Sequence, residues 1–250
     1  MTLTRELRIR PVTGLPEVAD GADLGRLIAD AAEPAADDVV VISQKAVSKV
    51  EGRIRRLAEV EPGERARELA GELEKDPAMV ELVLAESARI VRAERGVLIT
   101  ETHAGWVCAN AGIDTSNLEE GQVSLLPVDG DASARRIRAE IATASGAAPA
   151  VVIADSFGRA WRVGQADVAI GCAGITPLAD WRGRRDRSGR ELSATLIATA
   201  DQLASAADLT RDKDSGVPAA VVSGLGDLIS EQDGPGAGPL RRAPEEDLFR

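Results

Sequence analysis

Four short apolar runs constrain this chain more than any other feature. Residues 39–42, 149–154, 168–175 and 217–222 are rich in Val, Ile and Ala and are bounded by polar or turn-forming residues. Runs of that length and composition read as strands, the first as a buried strand that ends in a polar loop at Ser43-Gln44-Lys45. Between them the periodicity changes. Residues 64–75 and 78–92 read as two helices separated by Pro77, which a first helical turn tolerates. Residues 98–102 and 106–109 flank His103-Ala104-Gly105 and read as a hairpin with glycine at its turn. Asp131 or Ser133 is positioned to cap a helix carrying Ala134, Ile137, Ile141 and Ala144 on one face, and Leu192, Leu196, Ala200, Leu203 and Ala207 mark another. Hairpin-like strands mixed with helix-separated strands favour an α+β, or mixed α/β, fold over a doubly wound sheet. Residues 1–229 read as one unit or two subdomains, and residues 230–250, which open on GPGAGP and charge, as a tail or linker.

Composition narrows the function classes. A chain of 250 residues that is 44% hydrophobic buries a sizeable core. The formal charge of −11 argues against a nucleic-acid coat, and with three Trp, two Phe and no Tyr there is little to stack bases on. A polyanionic ligand must therefore be held by local basic residues and metal, not by the overall field. No apolar run approaches the ~20 residues that span a bilayer, and MTLTRELRIR has no hydrophobic signal core. The expectation is a cytoplasmic protein with no membrane or nucleic-acid partner. Cys108 and Cys172 read as small buried hydrophobes, and with a single histidine the chain lacks a zinc ligand set.

The chemistry concentrates in two stretches, ETHAGWVCANAGIDTSN from Glu101 and ADSFGRAWRVGQADVAIG from Ala154. Asp114 follows the apolar run at 106–109, and Asp155 follows the one at 151–153. Thr115, Ser116 and Asn117 accompany the first acid and Ser156 the second, and such oxygen donors suit a hard divalent cation that also holds phosphates. Arg159 and Arg162 follow, with forks that match phosphate or carboxylate geometry. The combination points to phosphoryl chemistry on an acidic substrate. Each residue also has a plainer reading: acids after strands cap turns, arginines pair on surfaces, and Lys45 and Lys49 belong to a solvated loop. There is no GxxxxGK[ST] phosphate loop, and the glycines at 234, 236 and 238 read as linker. His103, at a turn, reads as a structural or peripheral substrate residue.

These stretches resemble the coenzyme F420-0:γ-glutamyl ligase family. The resemblance is carried by GLPEV from Gly14, VISQKAVSKVEGR from Val41, ESARIVR from Glu86, GVLITETHAGWVCANAGIDTSN from Gly96, LLPVDGDASARRIRAEI from Leu125, DSFGRAWRVGQADVAIGCAGI from Asp155, DWRGRRD from Asp180 and ATADQLASAADL from Ala198. It runs in family order over nearly the whole chain. It implies a GTP-dependent ligase that adds L-glutamate to F420-0 and then γ-linked glutamate, through an acyl phosphate, with release of GDP and phosphate. It also implies Mg²⁺ or Mn²⁺, two per site, with K⁺ as a helper, and an intertwined homodimer of unusual α+β fold.

Residue by residue, the resemblance implies metal ligation by Asp114, Asp155 and Ser156. It implies guanine-nucleotide contacts by Gly14, Leu15, Pro16, Glu17, Ser43, Gln44, Lys49 and Asn117, with Asp212 and Lys213 in the later nucleotide segment. Arg159 is expected to join the two aspartates in catalysis, and Arg162 and Gln165 to contact substrate. Two departures stand out: Ala160 replaces the proline of the usual GRPWR, and Asp212 replaces a glycine in the segment that commonly reads LVMGK. Fused relatives continue from near EEDLFR into a nitroreductase-like domain, which this sequence does not contain. The reading from another class is a non-catalytic guanine-nucleotide-binding regulator on the same fold. A third is a kinase that stops at the acyl phosphate.

Overall fold

The four apolar runs become strands of one central sheet because helices cover both of its faces. The computed structural model describes residues 6–248; the first five residues of the N-terminal stretch and the last two of EEDLFR lie outside the described residues. In chain order the elements are β1 (Arg8–Pro11), α1 (Leu24–Ala32), β2 (Val39–Ser43), α2 (Gln44–Val50), β3 (Ile54–Arg56), α3 (Glu64–Leu73), α4 (Pro77–Ala85), β4 (Ser87–Glu94) and β5 (Val97–Thr102). They continue with β6 (Val107–Ala109), β7 (Gln122–Ser124), α5 (Gly130–Ser145), β8 (Ala150–Arg159), β9 (Arg162–Ala173), β10 (Leu178–Asp180), β11 (Leu196–Ala198), α6 (Thr199–Asp208) and β12 (Ala219–Ser223).

The central sheet has the order β1-β12-β2-β8-β9, with β2 and β8 parallel and the other neighbours antiparallel. Alternation along the strands divides the core. Val40, Ile42, Val151, Ile153 and Val221 face α1 and α5 through Leu24, Ile28, Ile137 and Ile141. Val39, Val41, Val152, Ala154 and Val222 face α6 through Ala200, Leu203 and Ala207. With both faces buried, each strand reads as continuously apolar. A second core gathers α3, α4, β5 and β7 around Leu69, Val80, Val83, Leu98, Val123 and Leu125. The expected α+β architecture is what the chain forms.

Local expectations differ from the structure where tertiary pairing overrides periodicity. Residues 78–92 are not one helix: α4, opened by Pro77 and capped by the Asp76 side chain, ends at Ala85. SARIVRAE then pairs with β5, because β-branched residues gain more from cross-strand packing than from a helix. Leu192 and Leu196 mimic a helical stripe, but Leu196–Ala198 is a strand paired to β10, and the helix starts at Thr199. The α5 cap is Asp129, whose side chain accepts from the Ala132 amide, not Asp131 or Ser133. Ser43-Gln44-Lys45 is no loop, since α2 begins at Gln44. Asp155 does not follow a strand; β8 runs on to Arg159 and turns back immediately as β9.

The segment expected as a tail is laid on the body as far as Leu240. Ala237 is fully buried and Leu240 packs on the α6 side of the core. The buried Arg138 of α5 donates to the carbonyls of Ser230 and Glu231 and pairs with Asp233 at 2.8 Å. One oxygen of Asp131 accepts from the amides of both Cys172 and Ala237.

The start of α5 presses on β9 at Gly130 and Gly171, where a Cβ built on Gly171 would stand 2.2 Å from the Gly130 carbonyl carbon and oxygen. Both walls are backbone and cannot rotate away. Gly171→Ala is expected to lower unfolding free energy by about 1–3 kcal/mol, as overpacking does. Gly158→Ala, where a Cβ meets nothing within 4 Å, should stay within about 0.5 kcal/mol of the parent. Urea denaturation of both variants reads the contrast, and equal midpoints would disprove the backbone contact.

Candidate active site

The parallel pairing of β2 with β8 brings two strand ends together, with Ser43 opposite Ala154. From there α2 leaves on one side and β8 continues through Asp155 and Ser156 on the other. Between them lies a cavity of about 280 Å³ lined by Leu15–Val18, Ser43, Lys45, Lys49, Asn117, Asp155, Ser156, Asp167 and parts of the chain from Asp208 to Pro218. Ligand crevices in sheets with parallel pairs form at such carboxyl ends.

The lining is acidic on balance. Glu17, Asp155, Asp167, Asp208, Asp212 and Asp214 face Lys45, Lys49, Arg211 and Lys213. Asp155 feels that balance most. Burial pushes its carboxyl up to about 6, and the nearby charges of Asp114 and Asp167 push the same way, against the Ser156 amide and Lys45. Asp114 moves in the opposite direction. Burial alone would raise it, but the hydrogen bonds from Lys45 and Ser116 outweigh burial and hold it below the ordinary Asp range. The Lys45 ammonium lies 2.9 Å from Asp114 Oδ2 and donates to Ser116 Oγ at 2.6 Å, while the Ser116 amide donates to Asp114 Oδ1.

A second knot of charge faces it. Ser156 Oγ donates to Asp167 Oδ1 at 2.6 Å and accepts from Lys213 Nζ at 2.6 Å. Asn117, held at φ 58, donates from its side-chain amide to the Lys213 carbonyl. Lys49 Nζ pairs with Glu17 at 2.5 Å across the mouth.

Most residues expected to touch a nucleotide therefore line one cavity: Leu15, Pro16, Glu17, Ser43, Lys49, Asn117, Asp212 and Lys213. Gly14, at φ 80, turns the chain into that wall without lining it. Gln44 is fully buried and turned inward, its Oε1 accepting from Ser48, so its side chain is out of reach of a ligand. Of the expected metal ligands, Asp155 and Ser156 line the cavity and Asp114 stands behind Lys45. Arg159, Arg162 and Gln165 lie elsewhere, on the exposed β8–β9 hairpin. Arg159 folds back on that hairpin, donating to the carbonyls of Val163 and Gly164. Its strands extend past the sheet, which carries these residues away from the cavity. His103 is exposed, with Nε2 3.0 Å from the Ala85 carbonyl. Cys108 and Cys172 are free and buried, each thiol pushed up to about 12 first by burial.

Lys45, Asp167, Asp208 and Arg211 are cavity residues that sequence reasoning did not single out. Lys45 was legible only as a loop lysine, and the other three become neighbours only when β9 and the end of α6 meet. The donor set fits a hard divalent cation, since Asp155, Ser156 and Asp114 offer oxygen alone. Among the described residues no group of three or more His, Cys, Asp or Glu side chains is placed to hold a metal by itself. Two carboxylates completed by ligand phosphates is the usual arrangement for Mg²⁺.

The sequence model described as F420-0:gamma-glutamyl ligase matches residues 13–224. The chain is 44% identical over 246 residues to the coenzyme F420:L-glutamate ligase of Methanopyrus kandleri, covering 98% of each chain. It is 42% identical to the enzyme of that name from Methanothermobacter thermautotrophicus, over 96% of this chain and 97% of the relative. Against the one from Archaeoglobus fulgidus it is 40% identical, over 98% and 96%.

The raised Asp155 carboxyl gives the fold a pH dependence. Its folded value of about 6 lies above the roughly 3.9 of an unfolded Asp, so between those values the folded state binds more protons. Stability contributed by the protonated carboxyl is full below about pH 4 and is lost as pH rises to about 6. Asp155→Asn removes this dependence. With chelator present, the variant is expected to match the parent near pH 4 and to exceed it by about 1–2 kcal/mol at pH 7, after allowance for screening by solvent in the cavity. Urea titrations from pH 4 to 8 measure it, and parallel curves for the two proteins would refute it.

Proposed function

Because the chain belongs to the F420-0:γ-glutamyl ligase family, we propose that it joins L-glutamate to coenzyme F420-0 in a GTP-dependent reaction and then adds γ-linked glutamate. The observation that supports this most is the convergence of Leu15–Glu17, Ser43, Lys49, Asn117 and Asp212–Lys213, far apart in sequence, on one cavity beside Asp155 and Ser156.

A free carboxylate does not condense with an amine in water, because oxide would have to leave. In this reading the γ-phosphoryl group of GTP passes to the F420-0 carboxylate, giving an acyl phosphate and GDP. The glutamate amine then attacks the acyl carbon, the amide bond forms, the C–O bond to phosphate breaks and the amine sheds its proton. Positioning and charge neutralisation carry most of such catalysis. Lys49 and Lys213 would supply point charges to the phosphates, exchanging their present partners Glu17 and Ser156 for the ligand. Ser43 and Asn117 would fix the nucleotide against the ends of β2 and the Asn117 turn. The depth of the cavity would keep water from the acyl phosphate.

Asp114, Asp155 and Ser156 would hold Mg²⁺ or Mn²⁺, which would offset the charge of three anionic partners in a cavity already rich in carboxylates. K⁺ stays in the reading as an activating cation with no residue assigned to it. A homodimer also belongs to it, supported by the exposure of Trp161 and Val163 at the β8–β9 tip and of Trp181 and Leu196 by β10 and β11. Among the described residues no helix is long and apolar enough to cross a membrane, and the proposed site of action is the cytosol.

Purified protein given F420-0, glutamate, GTP and Mg²⁺ or Mn²⁺ should yield a product heavier by one glutamyl residue in mass spectrometry. GTP binding without that mass, in folded protein, would favour a nucleotide-binding regulator. Release of GDP without glutamate incorporation would favour a kinase that stops at the acyl phosphate.

Lys49→Ala separates ligand binding from folding. Loss of a charge-assisted contact to phosphate should weaken GTP binding tenfold or more, on the order of 1.5 kcal/mol. Stability should move by no more than about 0.5 kcal/mol, because Lys49 meets only an exposed Glu17. Unchanged affinity by calorimetry would return Lys49 to the surface. Asp114→Asn should abolish turnover while the protein still folds. Turnover at the parent rate would leave Asp114 as a partner of Lys45 only.

A further inference from the structure

We propose that the buried Arg211–Asp167 ion pair is a positioning element that sets the spacing of the nucleotide cavity's walls, an inference that rests on the nucleotide reading of that cavity. The pair is hidden, with side chains 4% and 6% exposed and Arg211 Nη2 at 2.8 Å from Asp167 Oδ2. Nothing in the phosphoryl chemistry requires either group to touch substrate.

The geometry shows what the pair joins. Arg211 stands at one end of the 212–217 loop, and its Nη1 donates to the carbonyl of Pro218 at the other end. That carbonyl also accepts from the Ser43 amide at 2.7 Å, so the loop closure is tied to the end of β2. Asp167, on β9, gives its other oxygen to the Ser156 hydroxyl of β8. One guanidinium thus reaches three walls: the loop carrying Asp212 and Lys213, the end of β2 and the continuation of β8. Lys213 Nζ on Ser156 closes the circuit from the loop side.

A charge placed in such a position is costly unless it is paired, and a pair with well-placed hydrogen bonds holds its neighbours in one geometry rather than in several. An arginine is suited to the task, since its planar fork fixes the directions of several bonds at once, which a lysine cannot do. The loop it closes is otherwise lightly held. Within it, residues 212 to 216 are exposed, and local hydrogen bonds join Ser215 to Asp212. Without the staple the loop would sample many conformations, and a nucleotide would have to order it on binding.

The test compares the full-length parent with Asp167→Asn and with the neutral pair Asp167→Asn/Arg211→Met. Three quantities are read: hydrogen exchange of the 212–217 amides without ligand, GTP affinity by calorimetry with Mg²⁺, and KM for GTP against KM for glutamate. Asp167→Asn should speed loop exchange at least tenfold and raise the GTP dissociation constant and KM at least tenfold, with the KM for glutamate within twofold of the parent. The neutral pair should regain thermal stability, because no unpaired charge remains, yet keep the loop and GTP defects. Where Asp167→Asn does not fold, Arg211→Lys keeps the charge, loses the fork and is read the same way.

Unchanged loop exchange overturns the proposal, as does a neutral pair that binds GTP like the parent. A parent that binds no GTP while its loop exchange still follows the pair overturns the nucleotide reading and leaves the staple itself supported.

Discussion

Everything at the candidate site depends on one parallel pairing. β2 and β8 lie side by side in register from Val39 opposite Ala150 to Ser43 opposite Ala154, within a sheet whose other pairings are antiparallel. Parallel neighbours end at the same edge, so the first residues beyond both strands must meet there. That places the start of α2 with Lys45 and Lys49 against Asp155 and Ser156, and the antiparallel returns β9 and β12 bring Asp167 and Pro218 to the same edge. Helices on both faces of the sheet leave this edge as the place where strand ends can open to a ligand.

Charge is distributed accordingly. A chain with a formal charge of −11 does not attract a polyanion by its long-range field. Its cavity does not reverse that sign, since carboxylates outnumber basic groups along the lining. Affinity for a phosphate chain must then come from short-range contacts with a few ammonium groups and from cations that arrive with the ligand. In the ligand-free arrangement those ammonium groups are not idle. Lys45 satisfies Asp114 and Ser116, Lys49 satisfies Glu17 and Lys213 satisfies Ser156. Binding becomes an exchange of partners, which limits the desolvation cost of charges at a half-buried site.

Much of this was legible in the sequence, for reasons that particular residues make plain. The strands of the central sheet were legible because burial on both faces leaves an unbroken apolar run, and the β5–β6 hairpin because Gly105 supplies a positive φ at its turn. The grouping of Leu15–Glu17, Ser43, Lys49, Asn117 and Ser156 was accessible only through family resemblance, since no local pattern says which loops meet. Long-range pairing defeated the helical stripe at Leu192 and Leu196 and the helix expected through Ile90, where the competing strand partners lie elsewhere in the chain. Arg159 and Arg162 looked like ligand forks beside Asp155, but a hairpin with period two carries them outward as fast as the chain advances. Asp167 and Arg211 were unreadable because each is unremarkable alone; their meaning is the 2.8 Å between them.

The edge of the central sheet has a consequence for how the chain is made. β1 pairs with β12, Arg8 opposite Ser223, and no other strand of that sheet touches it. The first strand to leave the ribosome therefore finds its partner only after most of the chain has followed, a delay on the order of ten seconds or more at ordinary synthesis rates. For that interval it is an unpaired strand in a crowded cell. Its sequence, RIRP, suits the wait: two arginines and a terminal proline blunt the edge against pairing with other nascent chains, and only Ile9 is apolar enough to be held back for the core.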